Sequence, residues 1–184
     1  MTWFDLLVIL LIAAYALLGY RSGLIRRVIG FIGLYGGLYV ASYTGHAALP
    51  VFRQGFPFVE PADGRIYLFF GAWVLIVVLV EVVATLYNQE VQVSLVALNH
   101  TSGALVGALT GFIAAVLAWI ILGAASNPLG GSLTATEVHL RGQISGSFLG
   151  PKILKPATGA IQATFSPVLP HNLDSYFGGA GSNP

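Results

Sequence analysis

Apolar residues are gathered along this chain in long stretches that carry almost no charge. Three runs, Leu6–Tyr20, Ile66–Val80 and Thr101–Ser126, contain no Asp, Glu, Lys or Arg, and a fourth apolar run carries its two arginines close to its start. A helix crosses the hydrocarbon core of a bilayer with roughly 20 apolar residues, or fewer where flanking side chains reach the interface. The pattern predicts an all-α fold, a polytopic membrane bundle of four transmembrane helices. These are expected at about Phe4–Tyr20, Leu24–Tyr43, Ile66–Tyr87 and Thr101–Ala125.

The residues between the first two predicted helices indicate how the bundle is arranged. Tyr20-Arg21-Ser22-Gly23 is so short a connection that the helices on either side must form an antiparallel hairpin. Arg26 and Arg27 follow it, and this density of cations favours the cytoplasmic side of the membrane. Both termini would then be extracytoplasmic. The total number of cations slightly favours the reverse orientation, since five lie in the second loop and the tail: Arg53, Arg65, Arg141, Lys152 and Lys155.

The chain after the fourth span is more polar and is divided by prolines. Thr134-Ala135-Thr136-Glu137 has the form of a capping box, which predicts a short helix reaching about Gln143. Residues 88–100, between the third and fourth spans, are expected to lie along the membrane surface. The resulting division is a four-span transmembrane domain over 1–126, a helical or irregular extracytoplasmic tail over 127–177, and a disordered terminus over 178–184.

Composition excludes several classes of function. The net charge of +1 argues against a nucleic acid partner, which would require a basic face. Cysteine is absent, which excludes thiol chemistry, and no catalytic motif or pair of carboxylates is found. We therefore expect a protein that is not an enzyme and needs no cofactor, with the lipid bilayer as its surroundings. The histidines lack the spacing of metal ligands, so no metal site is expected: His46, His100, His139 and His171.

Two of the predicted helices carry small residues at every fourth position. Such residues share one helix face, and in a membrane they let two helices approach closely. The face packs the bundle itself or joins two copies of the chain, and the pattern does not decide between these. The two series are Gly33, Gly37 and Ala41 in the second span and Gly103, Gly107 and Gly111 in the fourth.

Tyrosines recur on the opposite face of the second span, at Tyr35, Tyr39 and Tyr43. Interfacial placement, or one hydrogen bond for each hydroxyl, is the simpler interpretation. A polar path through the membrane or contact with a partner helix is the alternative.

Glu81 is the acid that interrupts an apolar run, within Val77–Ala84. Ionisable residues at membrane depth are costly, and they indicate a functional site or a paired charge. In the hairpin arrangement Glu81 lies at the level of Arg26 and Arg27, which predicts a structural ion pair. A proton or ion relay remains the alternative.

A set of weak motifs, taken in order, carries a resemblance to a known family. The first span opens on Trp3 and Asp5, and the hairpin holds Gly19 and Gly23, before the Gly-x-x-x-Gly start of the last span. Over about residues 2–125, this order resembles the colicin V production protein family. It is also similar to the membrane module that precedes an extracytoplasmic serine protease in some actinobacterial members.

The resemblance implies a four-span protein of the bacterial inner membrane, linked to colicin secretion and to envelope homeostasis. Two departures from the family pattern stand out. Asn99-His100 replaces an Asp-Arg pair, and Thr110 replaces an Arg that often lies among the glycines of the last span. A relay or ion pair that relatives build from those charges would be lost in this chain.

The leading hypothesis is a non-enzymatic scaffold or accessory factor in envelope homeostasis or in toxin or bacteriocin production and secretion. Its partner would be a second copy of the chain or another envelope membrane protein. A small transporter or channel that uses Glu81 and the tyrosine face is a second hypothesis. A membrane anchor or regulator of a separately encoded protease is a third.

Overall fold

The structure is a computed structural model and describes residues 2–87, 96–127, 133–170 and 172–177. Within those ranges the chain is helical or irregular and contains no strand, as expected for an all-α protein. The terminus predicted to be disordered, 178–184, lies outside the described residues. Four helical segments are long and apolar enough to cross a membrane, which confirms the predicted bundle: span 1 (Trp3–Leu24), span 2 (Arg26–Gly45), span 3 (Pro61–Ala84) and span 4 (Leu98–Ala125).

Spans 1 and 2 belong to one long helical element, α1 (Trp3–Ala47), which is broken at Gly23. Gly23 has φ 79° and ψ 177°, a left-handed conformation that a residue with a Cβ rarely adopts. The chain reverses there, because Leu11 and Leu34, which lie on opposite sides of the break, line the same groove. The predicted antiparallel hairpin is therefore present. We call the end of the bundle near Gly23 the hairpin end and the opposite end the tail end.

Spans 3 and 4 complete the bundle. A short helix, α2 (Leu49–Gly55), leads to α3 (Pro61–Tyr87), whose proline stands at a first-turn position that needs no N–H donor. The next helix, α4 (Val96–Ala125), begins before the predicted fourth span. Residues 96–100, expected on the membrane surface, are thus the first turn of α4 because they continue its helix without a break. The rest of that surface segment, 88–95, lies outside the described residues.

Span 4 is the centre of the bundle. In its most apolar stretch 56% of the residues are buried, whereas the corresponding fraction for span 3 is 17%. Span 3 therefore exposes most of its surface to the membrane. The largest fully buried apolar side chains come from every span and from the tail: Phe4, Val8, Leu34, Leu38, Phe69, Leu117, Ile121, Leu154, Phe165 and Phe177.

The tail folds back onto the bundle. Its first helix, α5 (Ala135–Ser145), opens with the predicted capping box, in which Glu137 Oε2 accepts a 2.7 Å hydrogen bond from the N–H of Thr134. The ring of Phe165 reaches the flank of span 2, 5.3 Å from the ring of Tyr35. The tail thus shares the apolar core of the bundle. Its remaining elements are a π-helical turn (Gly150–Leu154), a 3₁₀ turn (Lys155–Ala157), α6 (Thr158–Phe165) and α7 (Leu173–Phe177).

Candidate functional site

Three charged side chains, Arg26, Arg27 and Glu81, meet inside the hairpin end. Arg27 Nη2 lies 2.8 Å from Glu81 Oε2, and Arg26 Nε lies 3.6 Å from the same oxygen. Arg26 also donates a 3.2 Å hydrogen bond from Nη2 to the main-chain carbonyl of Glu81. The side chain of Arg27 is only 1% exposed. The hairpin therefore brings together the three residues that the sequence placed at one level of the membrane.

The surroundings of this charged cluster fix its geometry. Gly30 provides space for the carboxylate, since a Cβ at that position would lie 2.8 Å from Glu81 Oε1. Arg27 donates from Nε to Ser22 Oγ at 3.2 Å, and its Cζ lies 6.0 Å from the centroid of the Tyr15 ring. Such a distance allows a cation–π attraction. Nη1 of Arg27 is buried without a hydrogen-bond partner among the described residues.

The glycine series of span 4 packs against span 1. A side chain at Gly103 would overlap the carbonyl of Gly19, and one at Gly107 would overlap the carbonyl of Tyr15. Gly111 approaches the next turn of span 1 in the same way. The absence of side chains thus lets the two helix backbones touch, as small residues do in membrane bundles.

Gly33 and Gly37 of span 2 face span 3. A Cβ at Gly33 would lie 2.6 Å from Val80 Cγ1, and one at Gly37 would lie 3.1 Å from Trp73 Cδ1. Ala41 is fully buried. Of the two interpretations of the glycine faces, the geometry therefore favours packing within one bundle.

Asp5 ties the start of span 1 to the tail. Its carboxylate accepts hydrogen bonds from the Ser147 hydroxyl at 2.6 Å and from the backbone N–H groups of Phe148 and Leu149 at 3.1 and 3.0 Å. It also accepts from the N–H of Thr2 at 2.8 Å, closing a capping box at the first turn. Asp5 is completely buried. A carboxylate held by this many donors is a strong, charge-assisted anchor.

The tail residues of this anchor were not recognised from the sequence. Ser147-Phe148-Leu149 shows no motif that points to a carboxylate, and Asp5 was identified only as part of the opening of the first span. Trp3, next to Asp5, is partly exposed and donates its backbone N–H to Gln143 Oε1 at 3.3 Å. Both residues of the amino-terminal motif therefore contact the tail.

The comparisons with known proteins identify the family. A model of the colicin V production protein family matches residues 4–150. The chain belongs to the colicin V production protein family. No curated protein and no solved structure matches the chain significantly. The region shared with the colicin V production family includes all four spans and ends just after the tail residues that bind Asp5.

Within this colicin V production protein, Asn99 and His100 have structural contacts at the hairpin. Asn99 Oδ1 accepts a 2.9 Å hydrogen bond from the N–H of Leu24, the residue after the break at Gly23. The ring of His100 lies edge-on to that of Tyr20, with the centroids 5.4 Å apart. The Asn99 side chain therefore helps to close the hairpin.

The tyrosines of span 2 do not line an internal path. Tyr35 packs against the tail, whereas Tyr39 and Tyr43 are 64% and 75% exposed on the outside of the bundle. Their positions fit a lipid or interfacial environment.

An apolar groove opens sideways between spans 1 and 3, which we call the lateral groove. Its volume is about 470 Å³, and buried residues of spans 2 and 4 form its floor. The walls of the lateral groove are Trp3, Leu7, Leu11 and Tyr15 of span 1, and Phe70, Trp73, Val74, Val77 and Val78 of span 3.

Proposed function

We propose that this chain is a non-catalytic scaffold or accessory protein of the bacterial inner membrane, acting in envelope homeostasis or in toxin production and secretion. In this role it would bind a helix of another membrane protein. The observation that carries the proposal is the lateral groove. Both small-residue faces are covered within the chain, so this apolar concavity remains as a surface on which a partner helix can pack.

Photo-cross-linking in native membranes tests the lateral groove as the docking surface. A photoreactive residue at Val74, 58% exposed and in the groove wall, is compared with one at Leu105, 74% exposed on span 4 and away from the groove. We expect a discrete protein product from position 74 and none from position 105. Val74→Trp should fill the groove and reproduce the phenotype of a deletion strain. The same products from both positions, or a fully functional Val74→Trp variant, would exclude the groove as the docking surface.

We further propose that the hairpin end faces the cytoplasm and that both termini are extracytoplasmic. The three arginines of the hairpin support this orientation. Because the chain has no cysteine, single substitutions report sidedness directly. Ser145→Cys should react with a membrane-impermeant maleimide in intact spheroplasts, and Tyr20→Cys only after permeabilisation. The opposite pattern would reverse the topology.

A transporter or channel is the second candidate, favoured by the presence of three ionisable side chains, Arg26, Arg27 and Glu81, at membrane depth. It predicts ion flux in proteoliposomes that Glu81→Gln abolishes and Glu60→Gln, at an exposed position, leaves unchanged. Flux equal to that of empty liposomes would eliminate this candidate.

A further inference from the structure

A second cavity, at the tail end, differs from the lateral groove in its chemistry. It has a volume of about 620 Å³ and lies between the last turns of span 4 and the tail. Two cations from separate elements, Arg141 of α5 and Lys155 of the 3₁₀ turn, reach its rim. No acidic side chain lines the cavity, and neither cation forms an ion pair in the part of the chain that the structure describes. We call this space the tail-end cavity.

Neutral polar groups add to the cationic rim. The amide of Gln162 lines the same space. The hydroxyls of Ser145 and Thr158 also line it, but they already donate to the carbonyls of Gly142 at 3.3 Å and Lys155 at 2.8 Å. The amide nitrogen of Asn127 is already used, since it donates to Gly123 O at 3.1 Å and to Ser126 Oγ at 3.2 Å. Two cations and the Gln162 amide, without a carboxylate in the lining, favour a ligand with phosphate-like oxygens.

The floor of the tail-end cavity is apolar, which makes a freely soluble anion a poor fit. Trp119, Ile120 and Ile144 line it. Trp119 lies six residues before the end of span 4 at Ala125, about 9 Å along the helix axis. A membrane interface at Ala125, the end of span 4, would place Trp119 at the depth of acyl chains. Its ligand should be charged at one end and apolar at the other.

We propose that the tail-end cavity binds the headgroup of an anionic phospholipid, with the phosphate between Arg141 and Lys155 and the start of an acyl chain over Trp119 and Ile120. Gly123 keeps the space open, because no atom lies within 4 Å of a Cβ built there. The site is separate from the lateral groove and independent of the proposed scaffold role.

Native mass spectrometry of the detergent-purified protein, titrated with phosphatidylglycerol, tests the proposal. Each cation near a lipid surface adds to the binding free energy for an anionic lipid. Removal of both, in the double variant Arg141→Gln/Lys155→Gln, should therefore weaken phosphatidylglycerol binding about 30-fold. Lys152→Gln is the matched charge control: Lys152 lies in the same stretch but contacts the Phe148 ring and does not line the cavity. It should bind like the wild type. Phosphatidylcholine should bind weakly to all three proteins.

Filling the cavity provides a second test that leaves the charges in place. Gly123→Leu should abolish retention of phosphatidylglycerol, whereas Gly71→Leu, at an equally open glycine of span 3, should not. Equal binding to the double variant and to Lys152→Gln, or to Gly123→Leu and Gly71→Leu, would overturn the proposal. Displacement of the lipid by millimolar glycerol phosphate or inorganic phosphate would also overturn it, because the site would then recognise a free phosphate compound.

Discussion

Replacing Asp5 with asparagine should release the tail from the bundle. The carboxylate is completely buried and accepts hydrogen bonds from Ser147, from Phe148 and Leu149, and from the N–H of Thr2. An asparagine keeps the shape but turns one oxygen into an N–H donor. In either orientation of the asparagine amide, its NH₂ group faces at least one backbone N–H, and that N–H loses its acceptor.

The magnitude follows from the number and type of these bonds. A hydrogen bond to a charged group contributes about 1.5–3 kcal/mol, and a buried donor left without an acceptor costs a similar amount. Part of this loss of stability is offset, because burying a neutral side chain costs less free energy than burying a carboxylate. We therefore expect Asp5→Asn to destabilise the docked tail by about 3 kcal/mol, which corresponds to roughly a 10²-fold increase in the undocked fraction.

Limited proteolysis measures that fraction directly. Trypsin cleaves after Arg141 and Lys152, but not after Lys155, which Pro156 follows. Cleavage within a packed segment follows the population of its open form when opening is fast. In purified protein, tail cleavage of Asp5→Asn should be roughly 10²-fold faster than that of the wild type. Glu60→Gln, which removes an exposed acid from the same end of the bundle, is the control and should leave the rate unchanged.

The reasoning would be refuted by a tail cleavage rate for Asp5→Asn that stays within a few-fold of the wild-type rate. Such a result would mean that the apolar contacts of Phe165 and Phe177 hold the tail without help from the carboxylate.

Three further predictions follow from individual contacts. Gly107→Ala should destabilise the protein by about 2 kcal/mol, because the added methyl group overlaps the carbonyl of Tyr15. Unfolding in detergent measures this, with Gly71→Ala, at a glycine in open space, as the control that should not be destabilised. Equal effects of the two substitutions would contradict tight packing of span 4 on span 1. Glu81→Gln should lower the free energy of unfolding by about 3 kcal/mol, because it leaves the Arg27 guanidinium buried without its counter-ion. Unchanged stability in the same unfolding assay would contradict the ion pair. Burial raises the pKa of Tyr176 to about 12 from an ordinary value of 10.0, so its contribution to stability is full below pH 10 and is lost as the pH rises toward 12. Tyr176→Phe should remove that part of the pH dependence of unfolding in detergent, and an identical profile for the two proteins would contradict this.

The sequence predicted those features that depend on neighbouring residues. The four spans follow from the lengths of the apolar runs, the hairpin from a connection too short for any other path, and the start of α5 from a capping box. Each rests on interactions over a few positions, which a local pattern can indicate.

The contacts of the tail could not be predicted in this way. Asp5 and Ser147 are 142 positions apart, and nothing in the tail distinguishes Ser147 from the other serines. The glycine series indicated close helix packing but did not identify the partners, because any helix backbone can fill such a face. Phe165 and Phe177 were a missed signal, since large aromatic side chains in a polar tail favour docking onto an apolar surface.

Cross-linking of a cysteine pair at positions 20 and 100, in place of Tyr20 and His100, tests most directly whether spans 1 and 4 of the same chain pack against each other. If they do, only the outer surfaces of the bundle are left for partners. The two rings are in contact, 5.4 Å between centroids, on spans 1 and 4, and the natural chain contributes no other thiol. A short bifunctional thiol reagent should give a cross-link within one chain, seen as a product of monomer size. A product of dimer size from mixed single variants, Tyr20→Cys with His100→Cys, would show that the glycine face of span 4 joins two copies and would contradict the closed bundle.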